Sequence, residues 1–179
     1  GAGPHGLAVA AHLLTARPAL RGTVIDPSGA WLTTWRDQFA RLDIPVLRSA
    51  MVHHPGVDPG GLGTFTRRRS RPTSGLPYGV PLAAVFEEYC HELVDELGLA
   101  SVVVSDRVER VEEDGTVTTS RATFRADRVV IASNHSRPHV PRAFADAMAT
   151  NDRIVHSTDV DLRSVCDLTG ERIVVVGGG

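Results

Sequence analysis

Apolar positions along this chain fall into a few strongly patterned windows separated by long stretches with little order. Leu82, Val85, Phe86, Tyr89, Leu93 and Leu97 recur at three- and four-residue intervals, with Glu87, Glu88, Glu92 and Asp95 mostly off that face. The spacing predicts an amphipathic helix from Leu82 to Leu97, ended by Gly98. From Pro4 to about Arg17 alanine and leucine dominate; Pro4 suits a first helical turn and Pro18 stops the element. Thr23 to Asp26 reads as a short apolar strand closed by Pro27-Ser28-Gly29. Val102-Val103-Val104, running on toward Val108 and Val111, and then Thr116 to Thr119 and Ala122 to Arg125 about a turn, read as a small β-meander. Arg128 to Ala132 and Arg172 to Val176 read as buried-type strands. Residues from about 27 to 80 carry many prolines, glycines and arginines and no clear period, and are expected to form an irregular insert. Trp31, Trp35, Phe39, Leu42, Ile44 and Leu47 within it argue for an ordered loop packed over something.

Helix, strand, loop, helix, meander and a closing strand together place the chain in the α/β class. Its first helix is preceded by Gly1-Ala2-Gly3-Pro4-His5-Gly6. Glycines at such spacing leave backbone N–H groups at a helix N-terminus with no side chain in the way, which suits a dinucleotide diphosphate. Asp26 ends the next strand about twenty residues after Gly6, where an acid accepts hydrogen bonds from an adenosine ribose. A plain strand–helix turn is the bland alternative, and the acid fits FAD or NAD equally. Val174 to Gly179 reads as the start of a second fingerprint. Two such motifs in one chain suggest an enzyme binding a flavin and a nicotinamide nucleotide together. The expected fold is therefore a Rossmann-like nucleotide-binding domain with a parallel sheet and a β-meander, its first strand missing, plus the first strand of a second dinucleotide-binding domain. Residues 1–150 would form the former, and 151–179 a linker and the start of the latter. The strand Arg172 to Val176 is expected to fill an open sheet position within or between molecules, so a homo-oligomer is one expectation.

Composition narrows the chemistry further. The chain has 179 residues and a formal net charge of −2, which gives no reason to expect nucleic acid as a partner. All nineteen basic residues are arginine, so lysine Schiff-base chemistry is excluded from this segment. Only Cys90 and Cys166 are present, without the spacing of a redox dithiol. No apolar run approaches the roughly 18 residues that would span a bilayer, and the reading is of a cytoplasmic protein without a membrane partner. His53-His54 and the His135/His139 pair lack a completing cluster, so no metal site is expected. Arg67 to Arg71 reads as a solvated charge run, and Cys90 as a packing residue.

Position by position, the chain resembles the flavin-dependent N-hydroxylating monooxygenases, the lysine and ornithine hydroxylase group. These lie within the wider superfamily of flavin-containing monooxygenases and FAD-NAD(P)-binding oxidoreductases. Gly1 through Leu7 matches the fold's Gly-x-Gly-Pro-x-x-Leu, and Gly29-Ala30-Trp31 resembles the Gly-x-Trp that the wider flavin-containing monooxygenases carry after the ribose-binding acid. Trp35, Phe39, Leu47-Arg48-Ser49 and Asp58-Pro59 occupy further motif places. Ile131-Ala132-Ser133-Asn134 resembles the crossing between two nucleotide domains, and Ile154 to Ser157 with Gly170 to Val174 the lead-in to the NADPH fingerprint. Asn134, Arg48 and Asp43 depart from the group's usual residues, so its amine substrate is not carried over.

The resemblance implies FAD and NADPH as cofactors, and a small-molecule substrate and O₂ as partners. It implies oxygenation of a nucleophilic N or S through a C4a-hydroperoxyflavin. It assigns Gly1, Gly3, Pro4, His5 and Gly6 to the FAD diphosphate, Asp26 to ribose, the backbone near Val108 to adenine, and Ala132 to the crossing. Trp35 and Arg48 would lie toward the isoalloxazine, although a loop anchor and a surface arginine are the bland alternatives. Gly177 and Gly179 would serve the second nucleotide. No general acid or base is assigned. The activity is expected of the intact parent, while this segment alone is expected to be inactive and to bind flavin weakly or not at all. A flavin reductase passing electrons to a partner, and a catalytically inert nucleotide-binding fragment, are the competing readings.

Overall fold

The computed structural model describes residues 1–73, 79–133, 140–164 and 170–176. In chain order the elements are α1 (Pro4–Ala16), β1 (Val24–Asp26), α2 (Thr33–Arg41), α3 (Gly61–Arg68), α4 (Ala83–Glu96), a 3₁₀ turn (Leu99–Val102), β2 (Val103–Ser105), β3 (Val108–Val111), β4 (Thr116–Thr119), β5 (Thr123–Arg125) and α5 (Arg142–Thr150). Pro4 stands in the first turn of α1, where its missing N–H would have no intrahelical partner. Leu97 caps α4, and Gly98 follows in the left-handed region at φ 63°, as a helix stop demands.

Two small sheets result. β1 and β2 run parallel, with Val24 opposite Val103 and Asp26 opposite Ser105. β3, β4 and β5 form the antiparallel meander, bulged between Val108 and Arg110. The valine run expected to continue from 102 toward 111 is thus broken at Asp106-Arg107, where the chain leaves one sheet for the other. Asp106 is buried at 6% exposure and holds this junction. Its carboxylate accepts bonds from Thr119 Oγ1 at 2.6 Å, from the Ser120 hydroxyl and from the Arg107 N–H at 2.8 Å.

The core gathers on α4. Val85, Phe86, Tyr89, Cys90 and Val94 line its inner face, and meet Leu7 of α1 and Leu62 and Phe65 of α3. Cys90 is wholly buried, and burial pushes its thiol up from the ordinary range, so it acts as a small hydrophobe.

Four expectations are corrected. The irregular insert of 27–80 contains two helices, α2 and α3. Both are short, and α3 carries Gly61 and Gly63, so neither has a local signal. Tertiary packing sustains them: Trp35 stacks on Phe39 at 4.3 Å between ring centres and tilts onto Phe86, while Leu62, Phe65 and Thr66 are buried. Arg68 and Arg69 both pair with Glu92, and Arg71 with Glu88, so the arginine run is an exposed ion-pair lattice between α3 and α4 and not simply solvated. Arg128 to Ala132 is not a strand, and Val130 and Ile131 are exposed at 55% and 74%. Arg172 to Val176 is likewise not a strand, and Ile173 to Val176 are exposed at 63–88%, so this segment fills no sheet position. β-branched residues favour an extended chain, but a strand also needs a neighbouring edge for its backbone groups, and neither segment has one among the described residues. α5 was not foreseen.

Leu7 is wholly buried where α1 leans on α4. Leu7→Ala is expected to lower stability by about 2–5 kcal/mol, measured by urea unfolding of the flavin-free protein.

Candidate functional site

The glycine turn before α1 is tightly built. Ala2 is 2% exposed, so both of its backbone groups need partners. Its N–H donates to Asp26 Oδ2 at 2.8 Å, and its carbonyl accepts from the Leu32 N–H at 2.7 Å. The turn is thereby clamped between the end of β1 and the start of α2. Leu32 sits at φ 63° to make its contact, an unusual conformation for a leucine, and is held there by burial at 1% exposure. Trp31 beside it is buried, and its indole Nε1 donates to the Leu99 carbonyl at 2.9 Å, which makes it an anchor of the loop core.

The three motif glycines have different reasons to be bare. A Cβ on Gly6 would lie 1.9 Å from the Gly1 carbonyl oxygen, and one on Gly1 would lie 2.9 Å from the Ala132 oxygen. Those two positions are bare for packing. A Cβ on Gly3 would meet nothing within 4 Å. Its backbone is ordinary, at φ −82° and ψ −178°, so neither strain nor neighbours explain this glycine. Open space in front of the helix explains it, if a ligand uses that space. No side chain caps α1, so its first N–H groups face outward with the positive end of the helix dipole behind them.

Asp26 stands across this opening, half-buried. Its Oδ1 accepts the Ser28 N–H at 3.0 Å and the Ser28 hydroxyl at 2.6 Å. Burial works to raise its pKa, but the bonds from Ser28 and Ala2 outweigh that and leave it below the usual carboxylate range. An ionised acceptor is thus bonded to the glycine turn that leads into an uncapped helix N-terminus. These residues fit the diphosphate and ribose of a dinucleotide.

The profile of a family described as FAD-NAD(P)-binding matches residues 1–136. The chain belongs to that family. FAD and NAD(P)H are accordingly the cofactors of this FAD-NAD(P)-binding domain, and the chain is a flavin-dependent oxidoreductase in the general sense. No curated protein and no solved structure matches the chain significantly.

Of the positions expected to contact cofactor, the structure brings together Gly1, Gly3, Pro4, His5, Gly6 and Asp26, with Ala132 lying against Gly1 and Gly6. Trp35, Arg48 and Val108 make no hydrogen bond or ring contact with the glycine turn. Trp35 packs between α2 and α4, Arg48 is exposed without an ion-pair partner among the described residues, and Val108 pairs with Thr119 in the meander. Gly177 and Gly179 lie outside the described residues, as do Asn134, the His135/His139 pair and Cys166. Sequence reasoning missed Ser28 and Leu32. Asp26-Pro27-Ser28 is a recognisable turn signal that pointed to Ser28; nothing local marks Leu32.

His54 is an internal tie. Its Nδ1 lies 3.1 Å from the Gly56 N–H and 3.2 Å from the Tyr89 hydroxyl, and its Nε2 3.2 Å from the Pro59 carbonyl. Burial raises the Tyr89 pKa to about 12. Among the described residues no three His, Cys, Asp or Glu side chains gather as a metal site, and no helix is long and apolar enough to cross a membrane.

Gly6→Ala is expected to cost at least about 3 kcal/mol in thermal unfolding of the flavin-free protein, because the new methyl meets a backbone carbonyl that cannot swing away. Acid sensitivity follows from the two bonded carboxylates. Asp106 is held down to about 2, first by the Ser120 hydroxyl and then by Thr119, and Asp26 is lowered as well. Carboxylates depressed in the folded state stabilise it above their unfolded value of about 4 and lose that contribution as pH falls through the folded value. Stability should therefore drop between about pH 4 and pH 2. Asp106→Asn is expected to lower stability at neutral pH and flatten that acid limb, read from unfolding midpoints across pH.

Proposed function

We propose that this chain is the FAD side of an NAD(P)H-using monooxygenase that oxygenates a nucleophilic nitrogen or sulfur of a small molecule. The bare, unobstructed Gly3 before an uncapped helix, with ionised Asp26 bonded to the neighbouring Ala2 amide, carries the flavin part of this reading. In it the α1 amides hold the diphosphate and Asp26 orients the adenosine ribose. The buried side chains behind Ala2, Leu7 and Leu32 among them, keep both fixed as a rigid unit. Bound FAD supplies the electron relay from NAD(P)H and the activation of O₂. The overall balance is NAD(P)H, a proton, O₂ and substrate going to NAD(P)⁺, water and the oxygenated substrate.

The oxygenase part is supported by the motif resemblance, Gly29-Ala30-Trp31 above all, and by the cysteines. A flavoprotein that reduces disulfides works through a paired, accessible dithiol. Here the two cysteines are far apart in sequence, and Cys90 is buried in the helical core. Residues 1–150 form the FAD domain in this proposal, residues 151–179 lead to the NAD(P)H domain, and nucleic acid plays no part.

The purified protein should show flavin absorbance near about 450 nm. Gly3→Ala should unfold at the same temperature as the unsubstituted flavin-free protein yet bind FAD at least about tenfold more weakly, because only the ligand meets the added methyl. With NADPH, oxygen uptake should be matched by oxygenated product. Uptake yielding only peroxide, or NADPH-dependent reduction of an external acceptor without uptake, would favour the reductase reading instead.

A further inference from the structure

Asp26 is a shared resource, and its neighbours decide how much of it a ligand can reach. An ionised carboxylate offers about four acceptor positions. Three donors already occupy it: the Ala2 N–H on Oδ2, and the Ser28 N–H and hydroxyl on Oδ1. The Ser28 hydroxyl carries one proton and has two acceptors in reach, Asp26 Oδ1 at 2.6 Å and the Ala30 carbonyl at 3.0 Å. The shorter contact to the charged oxygen takes it. Oδ1 is then saturated. The remaining acceptor position belongs to Oδ2, the oxygen that lies 3.7 Å from where a Gly1 Cβ would stand, at the rim of the glycine turn.

The support behind Ser28 is built as well. Its Oγ lies 3.4 Å from the Ala30 N–H, the Gly29 N–H donates to the Asp26 carbonyl at 3.1 Å, and the Ser105 hydroxyl donates to the Pro27 carbonyl at 3.3 Å. The turn is thus tied to both strands of the parallel pair, while Ser28 itself is exposed and buries little on folding.

We infer that Ser28 is a positioning residue for nucleotide recognition: it saturates one oxygen of Asp26, so that the carboxylate presents a single, oriented acceptor at the glycine turn to one ribose hydroxyl of an adenine nucleotide. The inference rests on the reading of this turn as the FAD site. Without the Ser28 hydroxyl the Ala2 and Ser28 N–H bonds remain but an acceptor position opens on Oδ1 beside the one on Oδ2, so that the carboxylate no longer presents a single oriented acceptor, affinity falls and the preference for one hydroxyl blurs. Ser28 touches no ligand in this arrangement; it acts through Asp26.

The test is a set of equilibrium titrations of the flavin-free protein, with FAD followed by quenching of flavin fluorescence, and with ADP, 2′-deoxy-ADP and 3′-deoxy-ADP followed by calorimetry. The unsubstituted protein should bind FAD and discriminate between the two deoxy nucleotides. Ser28→Ala should weaken FAD by about three- to tenfold and bring the two deoxy affinities together, while the unfolding midpoint falls only slightly through the loss of one exposed hydrogen bond to Asp26. Ser28→Thr, which keeps the hydroxyl, should restore both properties. Ser28→Cys, close in size but a weak donor, should repeat the loss, and serves if the alanine variant unfolds. Binding and discrimination that survive in both the alanine and cysteine variants would overturn the role of Ser28 while leaving the FAD site standing. An unsubstituted protein that binds no FAD would overturn the site itself and this inference with it.

Discussion

A single buried residue organises the glycine turn. Ala2 is removed from water, and its N–H and carbonyl would each destabilise the fold by about 1–3 kcal/mol if left without a partner. The first is met by the side chain of Asp26 and the second by the backbone of Leu32, residues that flank one loop. Because both bonds converge on the same residue, the turn, the end of β1 and the start of α2 form one rigid corner. The direction in which α1 points its N-terminal amides follows from that corner. Leu32 accepts a left-handed backbone to complete it, a strain that persists because burial of its side chain leaves no better alternative.

Behind the corner, α4 provides the mass of the core. One of its faces receives α1, α2 and α3 through Leu7, Trp35, Leu62 and Phe65, and its half-buried Glu88 and Glu92 pair with arginines at and after the end of α3. The ion pairs are solvent-exposed and add little stability. Asp106 holds the junction between the two sheets. It lets a parallel pair end and an antiparallel meander begin within two residues, by satisfying hydroxyl and amide donors that the change of direction would otherwise strand.

The site also separates two uses of glycine that look identical in a sequence. Gly1 and Gly6 are bare because backbone atoms of the same protein occupy the place of a side chain, whereas Gly3 is bare beside empty space. Open space alone does not mark a ligand, since Gly22 has it as well; at Gly3 it lies directly before an uncapped helix. In the proposed reading, that distinction and the ionised Asp26 bonded to the turn are what assign the nucleotide to particular atoms of this chain.

Elements whose stability is written locally were legible in the residues alone: α1 from its proline start and alanine-rich body, α4 from its apolar stripe, β1 from its bounded run, the meander from its turn, and the glycine turn with Asp26 from spacing. Each depends on neighbours within a few positions, which is the range a sequence pattern reports. Other features were settled by contacts distant in sequence. α2 and α3 exist because α4 offers them a surface, and Leu32 matters because Ala2 needs a donor. Arg128 to Ala132 and Arg172 to Val176 have the composition of buried strands and lie exposed, because no sheet edge meets them among the described residues. Propensity names what a segment would prefer; backbone hydrogen bonding and burial, which require a partner from elsewhere, decide whether it is granted.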